Sequence, residues 1–65
     1  MPTIRLTTVT GTTDEQIQAF MEGATELAVR ALGAKREGVI VHVEVLPAER
    51  YMRGGKTIAE RRKET

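Results

Sequence analysis

The amino-acid sequence predicts an α/β (α+β) domain built on a single βαβ unit. Three features support this prediction: a β-branched run over residues 3–9, an apolar pattern of helical period over residues 13–32, and a valine-rich run over residues 39–46. Because one helix separates the two strand-like runs, a right-handed crossover is expected to place the strands in parallel. The 65 residues are expected to form one domain, residues 1–65.

The first strand is predicted over Thr3–Val9, the run TIRLTTV, because β-branched residues are frequent in it. Alternation along the strand places Ile4 and Leu6 on one face. The opposite face carries Arg5, Thr7 and Val9. Gly11 marks the end of the strand. These first residues lack the basic and apolar regions of a signal peptide, so a strand is the expected structure.

The helix is predicted to begin after Thr13 and to end at Gly33. Thr13 and Gln16 have the spacing of a capping box, and Asp14 and Glu15 suit the positive end of the helix dipole. An apolar stripe of helical spacing follows at Ile17, Phe20, Met21, Ala24, Leu27, Ala28, Ala31 and Leu32. We interpret this stripe as a surface that packs into the core, rather than as a cofactor surface.

The second strand is predicted over the run VIVHVEVL, residues 39–46, and Pro47 ends it. One face carries Val39, Val41, Val43 and Val45. The other face carries Ile40, His42, Glu44 and Leu46. The helix can cover only the valine face, so Ile40 and Leu46 lie on a face without a cover in the same chain. We expect another subunit to cover that face.

The segment after Pro47 is predicted to contain a turn at Gly54-Gly55 and then a short charged end. The sequence GGKT resembles the end of a phosphate-binding loop. That motif also requires a glycine five positions before Gly55, and the residue there is Arg50, so we reject this interpretation. The final run ERRKET, residues 60–65, is interpreted as a solvated tail rather than as a nucleic-acid patch.

The composition excludes several classes of function. Ten basic and nine acidic residues give a net charge of +1, and one Phe, one Tyr and no Trp offer no platform for stacking bases, so no nucleic-acid partner is expected. The absence of cysteine and the single histidine argue against a metal site, and no cofactor is expected. No apolar segment is long enough to cross a bilayer, which predicts a cytoplasmic protein without membrane contacts. Without disulfides or metal, so small a domain is expected to oligomerise.

Pro2 is the most unusual candidate for chemistry. The chain has neither cysteine nor serine, and His42, with Glu44 on the same strand face, is interpreted as structural or interfacial. Removal of Met1 would leave Pro2 with a free secondary amine. An α-amino group titrates near pH 8, and an apolar or cationic pocket lowers its pKa further, so it can act as a base or a nucleophile. The alternative is that Pro2 only starts the strand, where a missing N–H is tolerated.

Taken in order along the chain, these features resemble the 4-oxalocrotonate tautomerase family, and the match extends from Pro2 to about Glu60. It consists of Met1-Pro2 followed at once by a strand, Gly11, TDEQ at the start of one long helix, Gly33 near its end, the valine-rich strand, and Tyr51 shortly before Gly54-Gly55. The resemblance implies a tautomerase-like (MIF-like) βαβ subunit with a C-terminal hairpin. It also implies an assembly of dimers into a hexamer, a trimer of dimers.

The same resemblance implies that Pro2, once Met1 is removed, is the general base of a keto-enol tautomerisation. The expected substrate is a small enol or an α,β-unsaturated keto acid, such as a 2-hydroxy-dienoate or an enolpyruvate. The resemblance further implies a pocket lined by neighbouring subunits, in which Val9 is an aliphatic wall and Tyr51 is the aromatic residue that keeps the site dry.

Two positions depart from the family pattern. The family carries an arginine just before the helix cap, which binds a substrate carboxylate, and a second arginine near the start of the second strand, which polarises the substrate carbonyl oxygen. This sequence has Thr12 and Ile40 there. Replacement charge is available from Arg5, Arg53, Arg61 and Arg62. Arg53 is the preferred candidate because it lies close to Tyr51 in the sequence. Ile40 is expected to contact the apolar part of the substrate.

Two hypotheses of different classes therefore remain. In the first, the chain is a Pro2-dependent tautomerase, or a related hydratase or dehalogenase, with an altered substrate range. In the second, the chain is a non-catalytic or partner subunit of a hetero-oligomer, in which a homologous chain carries the arginines.

Overall fold

The computed structural model of the protein describes residues 1–63. The elements in chain order are strand β1 (Thr3–Val9), helix α1 (Asp14–Leu32), strand β2 (Ile40–Leu46), strands β3 (Met52–Arg53) and β4 (Lys56–Thr57), and helix α2 (Ile58–Lys63). Short 3₁₀ turns at Arg36–Gly38 and Ala48–Arg50 precede and follow β2. The predicted βαβ unit is confirmed, since β1 and β2 form a two-stranded parallel sheet joined through α1. None of the helices within residues 1–63 is long and apolar enough to span a membrane.

The register of the sheet places Thr3 beside Ile40 at one end and Val9 beside Leu46 at the other. Ile4 of β1 and Val41 of β2 line grooves together with residues of α1, so they lie on the face that the helix covers. The opposite face carries Arg5, Thr7, His42 and Glu44, and within residues 1–63 neither helix covers it. The predicted alternation is therefore correct, with β2 beginning one residue later than expected.

Helix α1 has the predicted ends. The backbone N–H of Thr13 donates to the side-chain oxygen of Gln16 at 2.9 Å, and the N–H of Gln16 donates to the Thr13 hydroxyl at 3.1 Å. This reciprocal pair satisfies two helix donors that would otherwise lack partners. At the other end, Gly33 has a φ of 69° and donates its N–H to the carbonyl of Val29 at 3.1 Å. Only glycine adopts that conformation without a steric cost, so the helix stops there.

The apolar stripe of α1 packs less completely than the sequence predicts. Ala28 of α1 and Ala48 are the buried apolar residues of the part of the chain that the structure describes, at 4% and 8% exposure. Phe20, Leu27 and Leu32 remain 40%, 57% and 70% exposed. Two strands are too narrow to cover the whole stripe, so one flank of the helix stays open beside Ile4.

The dimensions of the chain agree with an incomplete core. Its accessible surface is 5031 Å², whereas a folded monomer of 7.2 kDa exposes about 4,100 Å². Its radius of gyration is 15.0 Å, whereas about 11 Å is usual for this chain length. The excess surface is apolar in part, so the isolated chain lacks the burial that stabilises small domains.

The C-terminal segment differs from the predicted solvated tail. A two-residue turn at Gly54 (φ 62°) and Gly55 (φ 82°) joins β3 to β4, and two positive φ values are what a tight hairpin of this kind requires. Thr57 and Glu60 then form a second capping box, with the Glu60 N–H donating to the Thr57 hydroxyl at 3.1 Å and the Thr57 N–H donating to the Glu60 carboxylate at 3.0 Å. Helix α2 follows. Glu64 and Thr65, the end of the predicted tail, lie outside the described residues.

The Glu60 carboxylate is the titratable group of this cap. Hydrogen bonds from the backbone and the hydroxyl of Thr57 lower the pKa of Glu60. A carboxyl group whose pKa is lower in the folded state contributes stability above its unfolded pKa and loses it as the pH falls through the folded value. The start of α2 is therefore stabilised at neutral pH and weakened in acid.

Candidate active site

Pro2 is held at the amino end of β1 by the sheet itself. Its carbonyl oxygen accepts a hydrogen bond from the backbone N–H of Ile40 at 3.0 Å, and Pro2 is half-buried. Met1 is 89% exposed. The position of Pro2 is thus set by strand pairing, while the residue in front of it projects into solvent.

Ile40 is the candidate site residue that the structure brings next to Pro2. It is the first residue of β2, lies opposite Thr3, and is 38% exposed on the sheet face that the helix leaves open. An apolar side chain therefore stands beside Pro2 at the position where the resemblance expected an arginine.

Val9, Tyr51 and Arg53 lie at the other end of the sheet. Val9 is seven positions after Pro2, which corresponds to about 23 Å at the usual rise of a strand. Val9 pairs with Leu46, and the chain then runs through the turn Ala48–Arg50 to Tyr51. Val9 and Tyr51 are half-buried. The five predicted site residues therefore form two groups at opposite ends of one chain.

This separation means that a single chain does not assemble the predicted site. Pro2 and Ile40, the predicted base and the predicted apolar contact, lie at one end. The predicted aliphatic wall, phenol and cation lie at the Val9 end. The two groups meet only if the Val9 end of one chain lies against the Pro2 end of another. The elongated chain, which measures 44 × 22 × 15 Å, has its two ends available for such a contact.

Helix α2, which the sequence analysis does not predict, places Arg61 and Arg62, two of the candidates for replacement charge, at the Val9 end. The Arg61 guanidinium donates to the Arg53 carbonyl oxygen, from Nη2 at 2.9 Å, and Nη2 of Arg62 donates to the Thr10 carbonyl oxygen at 2.6 Å. The sequence did contain a signal, because Thr57-x-x-Glu60 is a capping-box pattern and predicts a helix start. The segment after it is too short and too charged to show an apolar stripe, so the sequence favours a solvated tail over residues 60–65. This prediction is wrong for residues 60–63, which belong to helix α2.

The open sheet face carries the remaining candidate groups. Arg5 lies opposite His42 and Thr7 lies opposite Glu44, and these residues line one shallow groove. His42 and Glu44 lie on the same face, as predicted. Among the residues described, no cluster of His, Cys, Asp or Glu has the arrangement of a metal site.

The sequence matches a family model described as "Tautomerase enzyme" over residues 2–61. A probable tautomerase of Bradyrhizobium diazoefficiens is 36% identical over 61 residues, which are 94% of this chain and 91% of that protein. A 2-hydroxymuconate tautomerase of Bacillus subtilis is 30% identical over 60 residues, which are 92% of this chain and 97% of that protein.

Solved structures agree with these relatives. The crystal structure of TomN, a 4-oxalocrotonate tautomerase homologue in the tomaymycin biosynthetic pathway, is 40% identical, covers 95% of both chains and superposes with a TM-score of 0.89. A 4-oxalocrotonate tautomerase isozyme from Methylibium petroleiphilum is 28% identical, with a TM-score of 0.91 over 98% of this chain and 100% of its own. A heterohexameric 4-oxalocrotonate tautomerase from Chloroflexus aurantiacus J-10-fl is 23% identical over 92% of this chain and 97% of its own, and with a TM-score of 0.85 it shares the fold.

Proposed function

Since this chain belongs to the tautomerase family, we propose that it is an isomerase of the 4-oxalocrotonate tautomerase type, with Pro2 as its general base. The observation that carries the proposal is the position of Pro2: strand pairing with Ile40 fixes it at the amino end of β1, directly after the exposed Met1. Removal of Met1 leaves a secondary amine whose place is set by the sheet.

The proposed reaction is a proton transfer within one substrate. The Pro2 nitrogen accepts the hydroxyl proton of a 2-hydroxy-dienoate or enolpyruvate-type acid and returns a proton to a carbon of the conjugated system. The enol becomes a keto acid, and the amine is regenerated without a cofactor. A neutral amine near pH 7 is required at the start, which an apolar surrounding favours because it disfavours the ammonium form.

The other proposed site residues have two roles, an apolar lining and a positive charge. Ile40 of the same chain, and Val9 and Tyr51 of a neighbouring chain, are proposed to exclude water and to hold the apolar part of the substrate. Arg53, in the hairpin after Tyr51, is proposed to provide positive charge. With Thr12 and Ile40 in place of the family's two arginines, the enzyme is proposed to prefer aryl or monoacid enols to diacids.

We propose a hexamer, a trimer of dimers, as the state that completes this site. The proposal rests on the distance of about 23 Å between the Pro2 and Val9 ends of one chain and on the open apolar flank of α1. Both are explained if neighbouring chains cover the helix flank and the open sheet face. The cytoplasmic location expected from the sequence stays a prediction.

Light scattering checks the predicted assembly. We expect the purified protein to have about six times the mass of one chain at micromolar concentration, because an isolated chain with only two buried apolar residues among residues 1–63 would be marginal. A stable monomer under these conditions would contradict both the hexamer and the shared active site.

Intact-mass measurement together with an enol assay tests the proposed activity. We expect protein from a bacterial host to lack Met1 and to convert phenylenolpyruvate to its keto form. A protein that keeps Met1 has an amide at Pro2, which is not basic. Full activity in a sample whose Met1 is wholly retained would therefore overturn the role of Pro2.

The second candidate function is that of a partner subunit in a hetero-oligomer, and the absence of both family arginines favours it. In that case the homologous partner chain carries the arginines, and this chain builds the shell. The purified chain alone would then show little enol turnover, and activity would appear on mixing with the partner. A related hydratase or dehalogenase would instead act on an unsaturated acid while still depending on Pro2.

A further inference from the structure

The open face of the sheet carries a small group of polar residues that the proposed reaction does not use. Arg5 of β1 lies opposite His42 of β2, and Thr7 lies opposite Glu44, so the four side chains form one patch. All four residues are exposed, and neither helix covers them within residues 1–63. We call this group the open-face patch.

The two charges of the open-face patch are not engaged inside the described part of the chain. Within residues 1–63, no salt bridge or side-chain hydrogen bond involves Arg5 or Glu44. The two residues occupy opposite corners of the patch, about 8 Å apart at the usual strand spacing and rise. A second chain laid over the patch can therefore pair with both charges at once.

A second copy of this chain fits the open-face patch by charge. It carries the same basic and acidic corners, so Arg5 of one copy can face Glu44 of the other. Apolar residues flank the patch on the same face, with Ile40 38% exposed at one end and Leu46 half-buried at the other. Exposed apolar side chains beside complementary charges favour a contact between chains over a solvated face.

His42 sets the net charge of the open-face patch. With a neutral imidazole the charges of Arg5 and Glu44 cancel, whereas a protonated imidazole leaves one positive charge in excess. Of the elements packed against β2, β1 brings Arg5 to this face and α1 lies on the other face, so within residues 1–63 Glu44 is the one acid beside His42. An unbalanced charge is costly to cover.

We propose that the open-face patch is an interface between copies of this chain, in which Arg5 of one copy pairs with Glu44 of another and protonation of His42 weakens the contact. The inference rests on the hexamer of the proposed function, and it deepens that proposal by naming residues that join the chains. An ion pair covered by neighbouring chains is screened less by salt than an exposed one. A homologous partner chain has to present the same two charges to fit this face.

Charge reversal tests the pairing between chains. The variants are Arg5→Glu and Glu44→Arg, and the matched controls with the same changes of net charge are Arg30→Glu and Glu49→Arg, at exposed positions of α1 and of the turn after β2. For each patch variant, the dissociation constant of the assembly is expected to rise about 10- to 100-fold, because like charges then face each other. The controls should stay within about threefold.

Mixing the two patch variants separates a contact between chains from one inside a chain. Arg5→Glu has two acidic corners and Glu44→Arg has two basic ones, so each chain complements the other and not itself. We expect native mass spectrometry of the mixture to show oligomers that contain both chains, at concentrations where each variant alone is dissociated. The doubly reversed chain, Arg5→Glu with Glu44→Arg, should assemble by itself.

A pH series tests the role of His42. Histidine changes its charge within about pH 5 to 8, so the neutral form favours assembly at the upper end and protonation opposes it as the pH falls. By light scattering, we expect the dissociation constant to rise about tenfold or more between about pH 8 and pH 5.5. In His42→Gln, which stays neutral, the rise should be below about threefold. Carboxyl groups titrate near pH 4, below this range.

Three results would overturn the inference. The first is an assembly that Arg5→Glu and Glu44→Arg leave unchanged, which would mean that the patch is solvated. The second is an equal loss of assembly in the two control variants. The third is the same pH dependence in His42→Gln as in the unsubstituted protein. Failure of the proposed function is distinct, because it appears as absent phenylenolpyruvate turnover in a protein that assembles and responds to pH as described.

Discussion

Alanine in place of Pro2 is expected to lower kcat/KM for phenylenolpyruvate by about 10²-fold or more, the usual scale for a positioned general base. Alanine still leaves a terminal amine after Met1 is removed, but it is a primary amine on a backbone that the ring no longer restrains. The Pro2 carbonyl accepts the Ile40 N–H through the main chain, so this hydrogen bond and the strand survive the substitution.

Pro47→Ala is the matched control, because Pro47 is the other of the two prolines and is exposed after β2. Its turnover should stay within about threefold of the unsubstituted protein, the order expected of an exposed position away from the proposed base. Light scattering of both variants separates a lost base from a lost assembly. Equal turnover in Pro2→Ala and the unsubstituted protein would mean that the proline only begins the strand.

Introducing arginine at both Thr12 and Ile40 is expected to raise kcat/KM for 2-hydroxymuconate. Charge-assisted contacts to the distal carboxylate and to the oxygen that gains charge contribute roughly 1.5 to 3 kcal/mol each, so two of them correspond to about 10² to 10⁴ in rate.

The single variants Thr12→Arg and Ile40→Arg separate the contributions of the two arginines to kcat/KM. Phenylenolpyruvate is the control substrate. Its kcat/KM should rise little or fall in Ile40→Arg, because the apolar contact beside Pro2 is lost. Should the unsubstituted protein already convert 2-hydroxymuconate at about 10⁷ M⁻¹s⁻¹ or faster, the argument from Thr12 and Ile40 is wrong. Arg53 is then the first residue to replace, since it lies in the hairpin after Tyr51.

The chemistry assigned to this chain depends on residues that few general rules would select. A proline after an initiator methionine is a weak signal alone. In the structure Pro2 is half-buried, and the residue that pairs with its backbone is the apolar Ile40. Pro2 is a candidate base for two reasons: the chain belongs to the tautomerase family, and its sequence has no cysteine or serine to act as a nucleophile. The activity assays above therefore test the role of Pro2 directly.

The sequence alone determined the local structure of this protein. Strand alternation, the Thr13–Gln16 capping box and the stops at Gly33 and Gly54-Gly55 each involve residues no more than four positions apart, so their patterns are visible in the sequence. The sequence does not predict helix α2, although Thr57 and Glu60 carry the same capping pattern, because a six-residue segment with four charged residues shows no periodic apolar stripe.

Only the tertiary structure decided how the candidate residues are distributed. Parallel pairing of β1 with β2 puts Ile40 beside Pro2 and places Val9 at the far end, and this register depends on contacts between segments about 37 positions apart. The contact of Arg62 with Thr10 likewise joins distant parts of the chain through a side-chain hydrogen bond. The exposed flank of α1 also follows from the tertiary structure. The sheet that covers the helix has only two strands within residues 1–63, and the apolar pattern of the helix does not reveal that number.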